Sequence, residues 1–171
     1  MVEEEECREF ASPACSAHEM DDRYMGFAGR EELLSAVNEL LEAERAGAQV
    51  TLHTARQMSD QCLESLLMAI HHDEARSCGV LVKAIQQLQG EPSQKIGAFH
   101  DEAMAIKDIS ARLAFLNRGQ AWVVRKLEAL LPTVRNDNIY AELKAMLMSH
   151  KENIDRMAQL PPPQSSPARQ D

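Results

Sequence analysis

Apolar residues recur at intervals of three and four along four stretches of the sequence, the period of an α-helix that buries one face. These stretches predict helices over about residues 31–57, 60–88, 108–131 and 138–159. A further short helical segment is predicted around residues 100–106. No strand is predicted. The pattern is therefore that of an all-α protein built around four amphipathic helices.

Each of the four apolar stripes carries one polar residue near its middle: Glu44, Glu74, Asn117 and His150. A carboxylate that faces a helical core is costly unless it is paired, protonated or bound to a metal. The two halves of the helical region also resemble each other in pattern, which places these four residues in equivalent positions. We therefore expect them to form a single polar layer, together with three residues on the same helical faces: Ser77, Gln120 and Asn153.

The lengths of the connections indicate how the helices are arranged. The links around residues 58–59 and 133–137 are short, so each joins two antiparallel helices. The segment 90–107 contains Gly90 and Pro92, which stop the second helix. Its length of about 17 residues can span roughly 55 Å when extended, enough to travel the length of a bundle. Two hairpins joined by one long crossover are typical of the ferritin-like topology.

Composition and charge narrow the class of protein. The 171 residues are 44% hydrophobic and 4% aromatic, which favours one helical domain. That domain is predicted over residues 30–159, between a disordered acidic tail at 1–29 and a disordered proline-rich tail at 160–171. The net charge of −9 argues against nucleic acid or an anionic membrane as a partner.

Features that depend on the cellular compartment indicate a cytoplasmic protein. The sequence has no apolar run of transmembrane length, and its acidic start is unlike a signal peptide. The four cysteines lack CxxC spacing, and two of them lie within helical patterns. Reduced thiols in a cytosolic protein are the simpler interpretation.

Several segments of the sequence resemble one known superfamily. Segments 40–48 (LLEAERAGA), 72–77 (HDEARS) and 88–93 (LQGEPS) are similar to the first half and the crossover of the ferritin-like, rubrerythrin-type superfamily. Segment 112–127 (RLAFLNRGQAWVVRKL) is similar to bacterial ferritin-like proteins of uncharacterised function. The resemblance covers about residues 31–158. It implies a ferritin-like four-helix bundle and says little about activity.

The resemblance also implies where a di-iron centre would lie, and how far this sequence departs from one. Di-iron members use one Glu on each of two helices and a Glu-x-x-His motif on each of the other two. Glu44 matches the first lone Glu, and Glu74 matches the Glu of the first motif. The other ligand positions are occupied by Ser77, Asn117, His150 and Asn153. This set carries too little negative charge for two irons, so we expect no full di-iron oxidase.

One metal ion remains compatible with the sequence. Glu44, Glu74 and His150 supply two carboxylates and an imidazole, which suit iron, manganese or zinc. His71, three residues before Glu74, is a further candidate ligand on the same helix face. The alternative is a metal-free layer, in which an imidazolium between carboxylates is satisfied by the neighbouring amide side chains.

The two alternatives predict different functions. The first is a ferritin-like protein with a degenerate centre that binds at most one transition metal and has a role in iron or oxidative-stress biology. The second is a non-catalytic interaction module that forms a homodimer or binds a helical protein partner. The sequence contains no residue set for acyl or phosphoryl transfer and no zinc CxxC pair. Whether the protein is an enzyme therefore stays open.

Overall fold

The computed structural model describes residues 25–159, which form α-helices and one short 3₁₀ turn, with no strand in that range. The predicted tails fall outside this description, except for residues 25–29. The helices are α1 (Arg30–Ala55), α2 (Gln61–Gln87), α3 (Phe99–Ala105), α4 (Ile109–Leu130) and α5 (Asp137–Ala158). The all-α class predicted from the sequence is confirmed. None of these helices is long and apolar enough to cross a membrane.

Three of the helices begin at side chains that cap their free backbone N–H groups. Asp60 accepts hydrogen bonds from the second and third residues of α2, at 2.8 and 3.0 Å. Asn136 does the same for α5, and Asp108 accepts from the third residue of α4. Such caps satisfy donors that have no partner within the helix. At the other end of α4, the chain tightens into the 3₁₀ turn Leu131–Thr133, which contains Pro132.

Contacts at the two ends of the bundle fix the direction of α4. At its start, the guanidinium of Arg112 donates to Gln57 Oε1, just beyond the end of α1, at 2.8 Å. After its end, the carbonyl of Thr133 accepts from the backbone N–H of Ala28, just before α1, at 2.9 Å. Helix α4 is therefore antiparallel to α1 and parallel to α2, as the long crossover predicts.

The crossover is fastened to the outer side of α1 by polar side chains spaced along that helix. Arg30 donates to the carbonyl of Leu88 at 2.7 Å. Further along, Asn38 Oδ1 accepts from the backbone N–H of Ser93 at 2.7 Å. The Ser93 hydroxyl donates to the Glu42 carboxylate, and Arg45 donates to the Ser93 carbonyl. These bonds hold the crossover against the bundle and bring its last residues beside α4.

The hydrophobic core is divided into two clusters. The larger cluster includes Leu41, Leu81 and Leu127. The smaller cluster, towards the start of α4, includes Val50, Leu67 and Leu116. Each of the four long helices also carries a polar residue a few positions from members of these clusters: Glu44, Glu74, Gln120 and His150. The bundle therefore carries a band of polar side chains between two apolar regions.

Candidate metal centre and adjoining cavity

Four helices each contribute one buried polar side chain to this band. They are Glu44 on α1, Glu74 on α2, Gln120 on α4 and His150 on α5, and none is more than 3% exposed. We call these four residues the polar layer. Polar groups buried this deeply require partners, because an unpaired one costs about 1–3 kcal/mol. Their partners lie mostly within the layer itself.

Gln120 connects two of the other three members. Its amide nitrogen donates to Glu74 Oε1, and its carbonyl oxygen accepts from His150 Nδ1. On the far side of the imidazole, His150 Nε2 lies 3.1 Å from Glu44 Oε1, an ion-pair distance without hydrogen-bond alignment. Both Nε2 and the second oxygen of Glu44, Oε2, lack a hydrogen-bond partner. The layer is thus bonded at one end and open at the Glu44 end.

The surroundings of Glu74 favour its protonated form. Burial raises its pKa well above the ordinary value near 4.5, and the charge of Glu44 raises it further, against the hydrogen bonds from Thr51 and Gln120. The hydroxyl of Thr51 lies 3.0 Å from Glu74 Oε2 and also faces two backbone carbonyls, at 2.9 and 3.1 Å. A hydroxyl has only one hydrogen. A protonated Glu74 can donate to Thr51, which then donates to a carbonyl.

A glycine on α1 makes room for this carboxyl group. A Cβ atom at Gly47 would lie 2.6 Å from Glu74 Oε1, closer than carbon and oxygen can approach. Gly47 is buried in the middle of a 26-residue helix, where glycine costs about 1 kcal/mol relative to alanine. Its presence is explained by the close approach of Glu74 to the α1 backbone.

Other residues predicted for the site lie apart from this bonded network. His71 is half-buried, and its Nδ1 donates to the carbonyl of Ala48 at 2.8 Å instead of turning towards Glu44. Asn117 is half-buried, with its Oδ1 unpartnered, and makes no bond to the layer. Gln120, one turn later and one methylene longer, bonds to both Glu74 and His150. The sequence predicts both amides for the layer, and of the two only Gln120 bonds to it in the structure.

The two remaining predicted members are buried but do not bond to the layer. Ser77 lies 6% exposed on α2. Asn153 lies on α5, where its amide donates to Asp73 Oδ2 at 3.3 Å. In the di-iron pattern, histidine would follow each motif glutamate at these two positions. Here Ser77 and Asn153 supply neither an imidazole nor a charge.

A cavity of about 410 Å³ adjoins the polar layer. It lies between α1 and α4, and residues 97–99 of the crossover line one side. Glu44, Glu74 and Gln120 form its buried floor, and exposed residues such as Arg118 and Arg125 lie at its mouth. Helical periodicity does not predict this cavity, because one of its walls comes from the crossover.

The donor atoms of the layer do not fit a di-iron centre. Both oxygens of Glu74 have hydrogen-bond partners, and His71 is bonded to a backbone carbonyl. Within residues 25–159, no group of three or more His, Cys, Asp or Glu side chains is arranged to hold a metal ion. The donors that remain are Glu44 Oε2 and His150 Nε2. Two protein donors are fewer than the three that hold a catalytic zinc ion.

Comparison with known proteins shows the family of this chain. A family model described as a domain of unknown function, DUF6306, matches residues 31–159. The chain belongs to this family. The matched range takes in all five helices from the second residue of α1 onwards, including every member of the polar layer. No curated protein matches the chain.

A solved structure similar to this DUF6306 chain is a ferritin-like, diiron-carboxylate protein from Bacillus anthracis strain Ames. The two share 18% sequence identity, with a TM-score of 0.68 over 76% of this chain and 95% of the other. Sequence identity this low supports a shared fold but not a shared function. The DUF6306 chain therefore has a ferritin-like fold.

Proposed function

We propose that this DUF6306 chain is a ferritin-like protein with a degenerate centre, which binds at most one transition metal ion and does not carry out two-iron oxygen chemistry. The bonds of Gln120 to Glu74 and His150 support this proposal most directly. These bonds occupy one oxygen of Glu74, which matches the glutamate of the first motif, and one nitrogen of His150, the histidine of the polar layer. Two irons would also lack the carboxylates that Asn117 and His150 replace.

A single ion would be held at the open end of the layer. Glu44 Oε2 and His150 Nε2 are the donors that have no hydrogen bond to lose. Gln120 would orient the imidazole through Nδ1, which is the usual role of a hydrogen-bonded neighbour of a metal-binding histidine. An iron, manganese or zinc ion bound there would supply Lewis-acid or redox chemistry. Glu74 would remain protonated and bonded to Thr51 and Gln120.

The experiment is a count of metal per chain. Protein purified without chelator, and chelator-treated protein dialysed against Fe(II), Mn(II) or Zn(II), is analysed by mass spectrometry of the elements. At most one ion per chain is expected. Glu44→Ala and His150→Ala should both lose that ion, whereas Glu152→Ala, an exposed carboxylate on α5, should keep it. Two ions per wild-type chain would contradict the proposal.

A second candidate is a non-catalytic interaction module with a metal-free layer. The hydrogen-bonded series Thr51, Glu74, Gln120 and His150 favours it, because this series is largely satisfied without an ion. Such a protein should contain no metal above the level of the Glu44→Ala variant. Its molar mass in solution, measured by sedimentation equilibrium, should exceed that of one 171-residue chain if the partner is a second copy. A monomer that binds one ion would favour the first candidate.

A further inference from the structure

The cavity beside the polar layer has the size and lining of a small-molecule site. Its volume of about 410 Å³ falls within the roughly 300–1,000 Å³ range of ligand pockets. A cavity of roughly 150 Å³ holds one benzene molecule. By scaling, this one has room for about sixteen non-hydrogen atoms.

The walls of the cavity are mainly apolar and aromatic. Phe99 from the crossover stacks on Phe115 of α4, with ring centroids 4.7 Å apart. Trp122 and Val123 line the cavity about two turns further along α4. A Cβ atom at Gly119 would lie 2.6 Å from the Phe99 ring, so this glycine lets the crossover ring rest against α4. These walls suit an apolar, ring-containing body.

One polar atom on the floor lacks a partner. Glu44 lines the cavity, is 1% exposed, and its Oε2 makes no hydrogen bond. The other floor carboxyl, Glu74, has both oxygens bonded. A buried carboxylate oxygen without a donor is costly, and a ligand that brings an O–H or N–H group would relieve that cost. The floor therefore selects for a ligand with one hydrogen-bond donor at its inner end.

The mouth favours a neutral donor over a cationic one. Arg118 and Arg125 lie at the mouth, and their charges repel an entering ammonium group. The other two carboxylates that line the cavity already have partners: Glu39 is paired with Lys126 at 2.9 Å, and Glu42 accepts from the Ser93 hydroxyl. A ligand carboxylate would be disfavoured at the floor, where Glu44 presents an oxygen. A hydroxyl group meets none of these penalties.

We propose that the cavity between α1 and α4 binds a small, neutral, mainly apolar alcohol or phenol, whose hydroxyl donates to Glu44 Oε2 and whose ring lies among Phe99, Phe115 and Trp122. This site goes beyond metal binding and does not require it. Because Glu44 is also a candidate ion ligand, the test uses chelator-treated protein. Its outcome is then independent of the metal count.

Trp122 provides the measurement, because it is the only tryptophan of the chain and lines the cavity. Its fluorescence is excited at the red edge of its absorption, where a phenyl ring does not absorb, while 4-phenylbutan-1-ol is added. A saturable change in emission is expected. The matched ligand 1-methoxy-4-phenylbutane has the same body and no donor, and should bind roughly tenfold or more weakly. No saturable change up to the solubility limit of the alcohol, or equal affinity for the ether, would overturn the proposal.

Two further comparisons fix the location and the charge of the ligand. Ala43→Leu fills part of the cavity and should weaken binding, whereas Ala75→Leu, at an exposed position of α2, should not. Circular dichroism checks that both variants fold. If Ala43→Leu does not fold, the comparison of the alcohol with the ether on wild-type protein still tests the proposal. Unchanged affinity in folded Ala43→Leu would place the ligand elsewhere and overturn the proposal. Tighter binding of 4-phenylbutan-1-amine than of the alcohol would overturn the neutral class.

Discussion

Replacing Glu74 by glutamine should stabilise the protein at neutral pH, although it alters a fully buried side chain. Burial, and after it the charge of Glu44, raise the pKa of Glu74 well above its ordinary value, which favours the protonated form in the folded protein. In the unfolded chain the same group ionises above about pH 4.5. Glutamine has the shape of the protonated acid, and its amide can donate to Thr51 while its oxygen accepts from Gln120. It has no proton to lose.

The magnitude follows from proton linkage. Above the unfolded pKa, the folded state binds one more proton than the unfolded state, so the stability of the wild-type protein falls as pH rises. The slope is about 1.4 kcal/mol per pH unit for one proton, and it ends at the folded pKa. The Glu74→Gln variant lacks this term. The two proteins should therefore be similar in stability near pH 4, and the variant should be increasingly the more stable of the two towards pH 7.

The assay is urea unfolding of both proteins, followed by circular dichroism, at several pH values between about 4 and 7. The control is Glu152→Gln, which removes an exposed carboxylate from α5 and should give a difference in stability that changes little with pH. A Glu74→Gln difference that stays constant across this range would refute the reasoning, because it would mean that Glu74 is ionised in the folded protein.

Two further predictions concern glycine and cysteine. Gly47→Ala should destabilise the protein by about 1–3 kcal/mol, because its Cβ would meet Glu74. Gly79→Ala on α2, where a Cβ meets nothing within 4 Å, should instead stabilise the protein by up to about 1 kcal/mol. Urea unfolding measures the stability of both variants. Equal changes in stability would contradict the close contact between Gly47 and Glu74. In a background without the two N-terminal cysteines, a maleimide should label exposed Cys62 and leave Cys78 almost unlabelled. Burial, and after it the charge of Glu44, raise the pKa of the Cys78 thiol to about 12. Mass spectrometry of the labelled peptides checks this, and similar labelling rates would contradict it.

The fold could be predicted because local sequence signals agree with one another. The spacing of apolar residues predicts the four long helices, and Gly90 and Pro92 predict where α2 ends. The unequal lengths of the links predict the crossover. These signals depend on periodicity and turn chemistry, which act within a few residues. The hydrogen bonds of Ser93 to α1 join residues 48 to 55 positions apart in the sequence, and no local pattern predicts them.

The candidate site could be predicted only in part. Glu44, Glu74 and His150 stand on apolar stripes, and burial follows from that position. Asn117 and Gln120 lie one turn apart on the same stripe, so periodicity gives both the same direction. Which of them bonds to Glu74 depends on side-chain length and on the separation of the helices, and these are properties of the packed bundle. The sequence pattern does not predict the bond of Thr51 to Glu74, although Thr51 lies one turn after Gly47 on the face of α1 that contacts α2.

The central claim, that the ferritin-like centre of this DUF6306 chain is degenerate, is tested most directly by locating iron in the protein. Crystals grown with Fe(II) under anaerobic conditions are measured on both sides of the iron absorption edge. We expect either no anomalous peak in the bundle or one peak per chain, between Glu44 and His150. Two peaks about 3.5–4 Å apart, with Glu74 turned away from Gln120 to bridge them, would contradict the account.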